Sequence, residues 1–189
     1  MQATPKGLRL HIGIFGRRNA GKSSLLNAIT RQQVAIVSDI AGTTTDPVEK
    51  PMELLPLGPV LFIDTAGVDD TGELGELRIK KTEKAFERTD LGVIVTADGW
   101  SDFEQGILEQ LQKRDVPVIV VFNKTDLQDP DPTVIQKLQQ DKITVVKTSA
   151  INGSGVLELR KALLDNAPAD YINNPAIVGD LVPPGSLVM

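Results

Sequence analysis

Residues 16–23 read GRRNAGKS, an instance of the pattern G-x-x-x-x-G-K-[ST]. The apolar run LRLHIGIF precedes it at 8–15, and the helical pattern SLLNAI follows at 24–29. A glycine-rich turn between a strand and a helix lets backbone N–H groups surround phosphate oxygens at the positive end of the helix. The stretch therefore predicts a phosphate-binding loop, in which Lys22 reaches the terminal phosphates and the Ser23 hydroxyl binds Mg²⁺.

Three more short motifs each follow an apolar run that lacks polar alternation. They are DTAG at 64–67 after VLFI, NKTD at 123–126 after VPVIVVF, and TSA at 148–150 after ITVVK. Such runs are typical of strands buried on both faces of a parallel sheet, whose carboxyl ends share one ligand-binding rim. The predicted fold is α/β: a three-layer P-loop NTPase with a mostly parallel six-stranded sheet and helices on both faces. We expect all four motifs on one rim.

Asp126 indicates which base the site takes. A carboxylate accepts hydrogen bonds from both the ring N–H and the amino group of guanine, and adenine has no such pair of donors on that edge. We expect Asn123 and Lys124 to brace the loop and cover the base, and Ser149 with the Ala150 N–H to reach the guanine carbonyl. The motifs together predict a site for GTP and GDP.

Hydrolysis of GTP requires a metal, a placed water and stabilisation of charge on the transferred phosphoryl group. We expect Asp64 in the Mg²⁺ shell, the Gly67 N–H at the γ-phosphate, and Thr44 in the loop 39–46 as a second metal hydroxyl. The residues predicted to contact nucleotide are Asn19, Ala20, Gly21, Lys22, Ser23, Ser24, Thr43, Thr44, Asp64, Gly67, Asn123, Lys124, Asp126, Ser149 and Ala150.

The motif set resembles the translation-factor-class GTPases. Asn19 and the GTT at 42–44 resemble the potassium-activated group, which includes the tRNA-modification GTPase MnmE and the ribosome-assembly GTPase Der/EngA. The stretches 7–19, 42–48 and 72–78 look most like the GTPase domain of the HydF family, the maturation scaffold of FeFe-hydrogenase. The fold that this resemblance implies is a Ras-like G domain over residues 8–166.

The resemblance implies a catalytic set of Asn19, Lys22, Gly67 and Glu76. Asn19 would hold K⁺ against the phosphates, where other GTPases insert an arginine. Val68 stands where Ras-like enzymes carry a catalytic glutamine, so another residue must orient water. Glu76 matches the catalytic glutamate of the tRNA-modification relatives, with Glu73 the alternative; a solvated carboxylate at a helix start remains the plain interpretation of Glu76.

The composition excludes several classes of function. The 189 residues carry a net charge of −5 without a dense basic block, which argues against a nucleic-acid surface in this segment. The chain has no cysteine and one histidine, so no thiolate-held iron–sulfur cluster fits here. It shows neither a signal peptide nor an eighteen-residue apolar stretch, and we expect no membrane contact and a cytoplasmic location.

The expected organisation is a flexible N-terminus at 1–7, the G domain, and a proline-containing linker at 167–189 into a further domain. The HydF resemblance implies partners for the full-length protein: dimerisation and iron–sulfur cluster domains, FeFe-hydrogenase, radical-SAM maturases and a second copy of the chain. Two alternatives stay open. One is the G domain of a tRNA-modification or ribosome-assembly GTPase, and the other is a GTP-sensing module whose hydrolysis is incidental.

Overall fold

The fold is built on a sheet of six strands, and the predicted motifs follow the carboxyl ends of its parallel strands. The computed structural model of the chain describes residues 9–31, 48–55, 57–64 and 83–172. The strands are β1 (Leu10–Phe15), β2 (Val48–Leu54), β3 (Gly58–Asp64), β4 (Leu91–Thr96), β5 (Val118–Phe122) and β6 (Thr144–Lys147). Their order is β2-β3-β1-β4-β5-β6, and only β2 runs antiparallel to its neighbour. The predicted mostly parallel six-stranded sheet is confirmed.

Helices cover both faces of this sheet. They are α1 (Lys22–Arg31), α2 (Asp102–Gln112), α3 (Pro132–Gln140), α4 (Val156–Asp165) and α5 (Ala169–Ile172), and residues 83–87 are also helical. Apolar residues of α1 and α4 pack on one face, in a cluster with Val93 and Val95. Residues of α2, α3 and 83–87 pack on the other face, in a cluster with Ile94. Alternate side chains of β4 thus enter opposite cores, as a three-layer fold requires.

Local sequence explains where two of these helices begin. Ser101 and Glu104 form a capping box at the start of α2, in which the Ser101 hydroxyl accepts the Phe103 N–H and the Glu104 carboxylate accepts the Ser101 N–H. Asp131 caps α3, accepting hydrogen bonds from the Thr133 N–H and hydroxyl, and Pro132 occupies the first turn. These hydrogen bonds lower the pKa of Asp131. The apolar pattern does not predict α3, because this mostly polar segment buries only Leu138.

The packed part of the chain extends beyond Asn166, after which we expected a linker. Ala167 lies in the core, and the Tyr171 hydroxyl donates to Asp90 Oδ2 at 2.9 Å. The same carboxylate oxygen accepts from the His11 backbone N–H at 2.9 Å and lies 3.2 Å from His11 Nδ1. Burial and the neighbouring carboxylate raise the pKa of Tyr171 to about 12. The hydrogen bond from Tyr171 to Asp90 therefore attaches the short helix α5 to the end of the sheet where β1 begins, opposite the predicted rim.

No helix within the described ranges combines the length and the apolar character needed to cross a membrane.

Candidate nucleotide site

The phosphate loop lies between β1 and α1, and its shape requires its glycines. Gly16, at φ 140°, leaves β1 so close to β4 that a Cβ would overlap the Val95 carbonyl oxygen. Gly21, at φ 90°, faces Asn123, whose side-chain nitrogen would overlap a Cβ there. Asn19 also has a left-handed backbone, at φ 64°. Since such angles favour glycine and asparagine, the motif residues suit the turn for steric reasons.

Lys22 begins α1 and is almost fully buried. Its ammonium donates to the carbonyl oxygens of Gly16 and Arg17, the latter at 2.7 Å. A buried cation therefore lies at the loop predicted to surround the phosphates, where positive charge attracts anions most strongly. Ser23 and Ser24 follow in the first helical turn and are exposed, whereas Ala20 is buried.

Asn123 links three of the four motifs. Its side-chain nitrogen donates to the Ala20 carbonyl oxygen at 2.9 Å, and its side-chain oxygen accepts from the Thr148 hydroxyl at 3.0 Å. All three residues are buried, so these bonds are shielded from water. The phosphate loop and the two predicted guanine motifs are consequently held together as one unit.

The turn after Asn123 presents the predicted base-reading carboxylate. Lys124 takes a left-handed backbone at φ 59°, and its carbonyl accepts the N–H groups of Leu127 and Gln128. Thr125 donates its N–H and its hydroxyl to the Thr148 carbonyl, each at 3.1 Å. Asp126 lies within this closed turn and is exposed, so its carboxylate is open to a ligand.

The segment after β6 carries the second predicted base motif. The Ser149 N–H donates to the Ser154 carbonyl at 2.9 Å, and the Ser149 carbonyl accepts the Gly153 N–H at 2.9 Å. The Ser149 hydroxyl is buried and makes no hydrogen bond to any residue that the structure describes. Buried hydroxyls normally have a partner, so this group fits a site whose partner is a ligand.

Ser23 and Asp64 are the described residues predicted to bind Mg²⁺. Asp64 is the last residue of β3, nearly buried, and pairs in register with Ile14 of β1, next to the phosphate loop. The described residues contain no group of three or more histidine, cysteine or acidic side chains that could hold a metal. Mg²⁺ bound with phosphates needs only one or two protein ligands, so a hydroxyl and a carboxylate fit it.

Several predicted residues lie outside the described ranges. They are Thr43, Thr44, Gly67, Val68, Glu73 and Glu76. Their roles at the second metal ligand, the γ-phosphate and the attacking water stay predictions. The described part of the predicted site comprises the phosphate loop, Asp64 and the motifs at 123–126 and 148–150.

Arg17 has a role that the sequence does not reveal. Its guanidinium forms an ion pair with Glu104 of α2, Nε to Oε1 at 3.0 Å, and donates to the Ser101 hydroxyl at 2.6 Å. The capping box explains Glu104 locally, so the sequence offers no signal for a partner 87 residues away.

Comparison with known proteins agrees with this geometry. Residues 11–124, more than half of the chain, match the family described as 50S ribosome-binding GTPase. The tRNA modification GTPase MnmE of Prochlorococcus marinus is 37% identical over 159 residues, which is 82% of this chain and 34% of that protein. GTPase Der of Campylobacter hominis is 32% identical, over 82% of this chain and 36% of that protein. The chain thus spans about a third of the length of these relatives.

Solved structures show the same architecture. Era of Aquifex aeolicus bound to GDP and AlF4⁻ superposes with a TM-score of 0.65 at 27% identity, over 84% of this chain and 56% of that one. A second Era structure, with a TM-score of 0.65 and 28% identity, contains MgGDPNP and nucleotides 1506–1542 of 16S ribosomal RNA. The FeoB G domain of T. maritima, at 21% identity and a TM-score of 0.60, shares the fold.

The phosphate loop, the buried lysine and the linked base motifs agree with this similarity, and the chain belongs to the 50S ribosome-binding GTPase family as a G domain.

Proposed function

We propose that the chain is the nucleotide switch of a tRNA-modification or ribosome-associated GTPase, in which Mg²⁺-dependent and K⁺-stimulated hydrolysis of GTP changes the conformation of a larger protein. The similarity to MnmE and Der over 82% of the chain carries this proposal. The geometry supports the nucleotide-binding part of the proposal, because hydrogen bonds of the Asn123 side chain join the phosphate loop to the predicted base motifs.

Potassium stimulation rests on the phosphate loop. Asn19 lies in the middle of the loop, in a left-handed backbone conformation and with an exposed side chain. An amide oxygen is a neutral hard ligand suited to a monovalent cation. K⁺ bound there would supply positive charge beside the phosphates during hydrolysis.

Hydrogenase maturation is the second candidate. It rests on the stretches that resemble HydF, of which residues 9–19 lie within the described ranges. A chain without cysteine requires that any iron–sulfur cluster be carried by other domains. The relatives reported above are tRNA-modification and ribosome-related GTPases, and they favour the first candidate.

We include RNA among the partners of the larger protein, although the net charge of this chain argues against a nucleic-acid surface within it. The Era structure with 16S ribosomal RNA supports this part of the proposal. A net charge of −5 argues that this module itself is not the main RNA surface, since phosphate contacts require clustered lysine and arginine.

Single-turnover hydrolysis of GTP in K⁺ and in Na⁺ at equal ionic strength tests the switch. We expect K⁺ to accelerate turnover at least about tenfold, as a positive charge near the transferred phosphoryl group should. Equal rates in both salts would remove potassium from the proposal, and negligible turnover in either would favour a GTP-sensing module.

The natural gene, read past Met189, separates the two candidate roles. The proposal expects an RNA-binding or second GTPase domain in the larger protein. Clustered cysteine and histidine ligands, with iron in the purified full-length protein, would instead establish the maturation role.

A further inference from the structure

Arg17 is held at its side chain and at its backbone. Its guanidinium contacts Glu104 and Ser101 and lies 5.2 Å from the centre of the Phe103 ring. Its carbonyl oxygen accepts from Lys22 Nζ at 2.7 Å and from the Ala20 N–H at 3.3 Å. One residue of the phosphate loop is therefore attached both to the start of α2 and to the lysine predicted to bind phosphate.

The ion pair between Arg17 and Glu104 neutralises a buried carboxylate. The Glu104 side chain is 1% exposed, while that of Arg17 is 48% exposed, so the carboxylate is the desolvated partner. Removing the cation from a buried carboxylate is costly, because water cannot replace it. The planar guanidinium also contacts two acceptors at once, which fixes its direction as a lysine ammonium would not.

We infer that Arg17 is a positioning residue for phosphate binding. Its anchor on α2 fixes the first half of the phosphate loop, as the hydrogen bond from Asn123 to Ala20 fixes the second half. The two anchors use different elements, α2 and the end of β5, and they hold the loop in shape before nucleotide binds. The Arg17 guanidinium is engaged by Glu104 and Ser101, so the residue contributes through its backbone carbonyl and Lys22.

This role predicts a selective defect. Loosening the loop weakens only the part of the affinity that comes from phosphate, since the base is read by residues 123–126 and 148–150. A purely structural role in α2 predicts a different pattern, in which guanosine and GDP lose affinity together or neither does. The ratio of the two affinities therefore separates positioning from general stability.

The experiment measures the dissociation constants of MgGDP and guanosine for wild type, Arg17→Ala and Arg17→Lys. We expect Arg17→Ala to raise the dissociation constant of MgGDP about tenfold, the usual order for a lost charged hydrogen bond, and to leave that of guanosine unchanged. Arg17→Lys should recover part of the lost MgGDP affinity, because lysine keeps the positive charge but lacks the planar guanidinium that contacts two acceptors. Lys113→Ala, an exposed charge change at the other end of α2, is the matched control and should match wild type.

The double variant Arg17→Ala/Glu104→Gln distinguishes the loss of loop positioning from misfolding caused by an unpaired buried charge. It removes the buried charge together with its partner, and glutamine keeps an acceptor for the Ser101 N–H. The double variant should fold, as judged by circular dichroism, and show the same tenfold weakening of MgGDP. Unchanged MgGDP affinity in the folded double variant, or an equal loss for guanosine, would overturn the inference.

Discussion

The side-chain nitrogen of Asn123 donates to the carbonyl oxygen of Ala20 at 2.9 Å, across 103 residues of sequence. Asn123 is 3% exposed and Ala20 is 2% exposed, so the bond is formed in a dry environment. The residue that begins the base motif thereby supports the loop that binds phosphate. A buried hydrogen bond thus joins the predicted base motif directly to the predicted phosphate loop.

Removing the Asn123 side chain should damage both stability and binding. Asn123→Ala leaves the Ala20 carbonyl and the Thr148 hydroxyl without their partner, and we expect a loss of about 2–3 kcal/mol in the free energy of unfolding. Thr148→Val breaks only the second bond and should cost about 1 kcal/mol. Urea denaturation measures both, and equal losses in the two variants would show that the bond to Ala20 contributes nothing.

Asp126→Asn should change the base preference. The variant replaces a double acceptor by an amide with one donor end, so it no longer suits guanine but suits xanthine, which carries an oxygen in place of the amino group. We expect GTP affinity to fall on the order of a hundredfold or more, with xanthosine triphosphate gaining. Competition binding with both nucleotides measures the change, and an unaltered preference would contradict the role of Asp126.

Asn19→Ala should separate potassium stimulation from nucleotide affinity. The variant keeps Lys22 and removes the amide oxygen proposed to hold K⁺, and Asn19→Gly, which suits the left-handed backbone at this position, controls for the strain that alanine adds. We expect hydrolysis in K⁺ to fall to the rate in Na⁺, while the dissociation constant of GDP stays within about threefold of wild type. Retained stimulation in the variant would exclude Asn19 as the K⁺ ligand.

Gly155→Ala should destabilise the protein more than Gly153→Ala. Both glycines have left-handed backbones, at φ 71° and 80°, but only at Gly155 would a Cβ overlap the Lys147 carbonyl. We expect about 1–2 kcal/mol for the backbone strain at Gly153 and a larger loss at Gly155, measured by urea denaturation. Equal losses would mean that the segment before α4 relaxes away from β6.

Tyr171 should make stability fall at high pH. Its pKa rises from 10.0 to about 12 in the folded protein, so the folded state holds this proton more tightly than the unfolded state. The stabilisation is complete below pH 10 and is lost as pH rises toward 12. Tyr171→Phe lacks this proton, so the stability difference between wild type and variant should narrow over that range. A constant difference in urea titrations would contradict the contact with Asp90.

The sequence predicts the sheet well because its strands are apolar runs that end in polar motifs. The runs at 60–63, 116–122 and 143–147 fall within two residues of β3, β5 and β6. Helix α3 was missed because it buries little, although Asp131 and Pro132 form a recognisable helix start.

Contacts between distant residues could not be predicted in the same way. The ion pair of Arg17 with Glu104 and the hydrogen bond of Tyr171 with Asp90 join residues that only the packed fold brings together. Motif spacing identifies which residues carry the chemistry of nucleotide binding. The side chains that hold those motifs in position follow from the packing of helices on the sheet, which local patterns do not encode.

Titration calorimetry with Mg²⁺ tests the central claim most directly. The account predicts that the folded protein binds one GDP or one GTP per chain with measurable heat, and that ATP under the same conditions gives none, because Asp126 finds no pair of donors on adenine. Absence of heat from both guanine nucleotides, or equal binding of ATP, would contradict it.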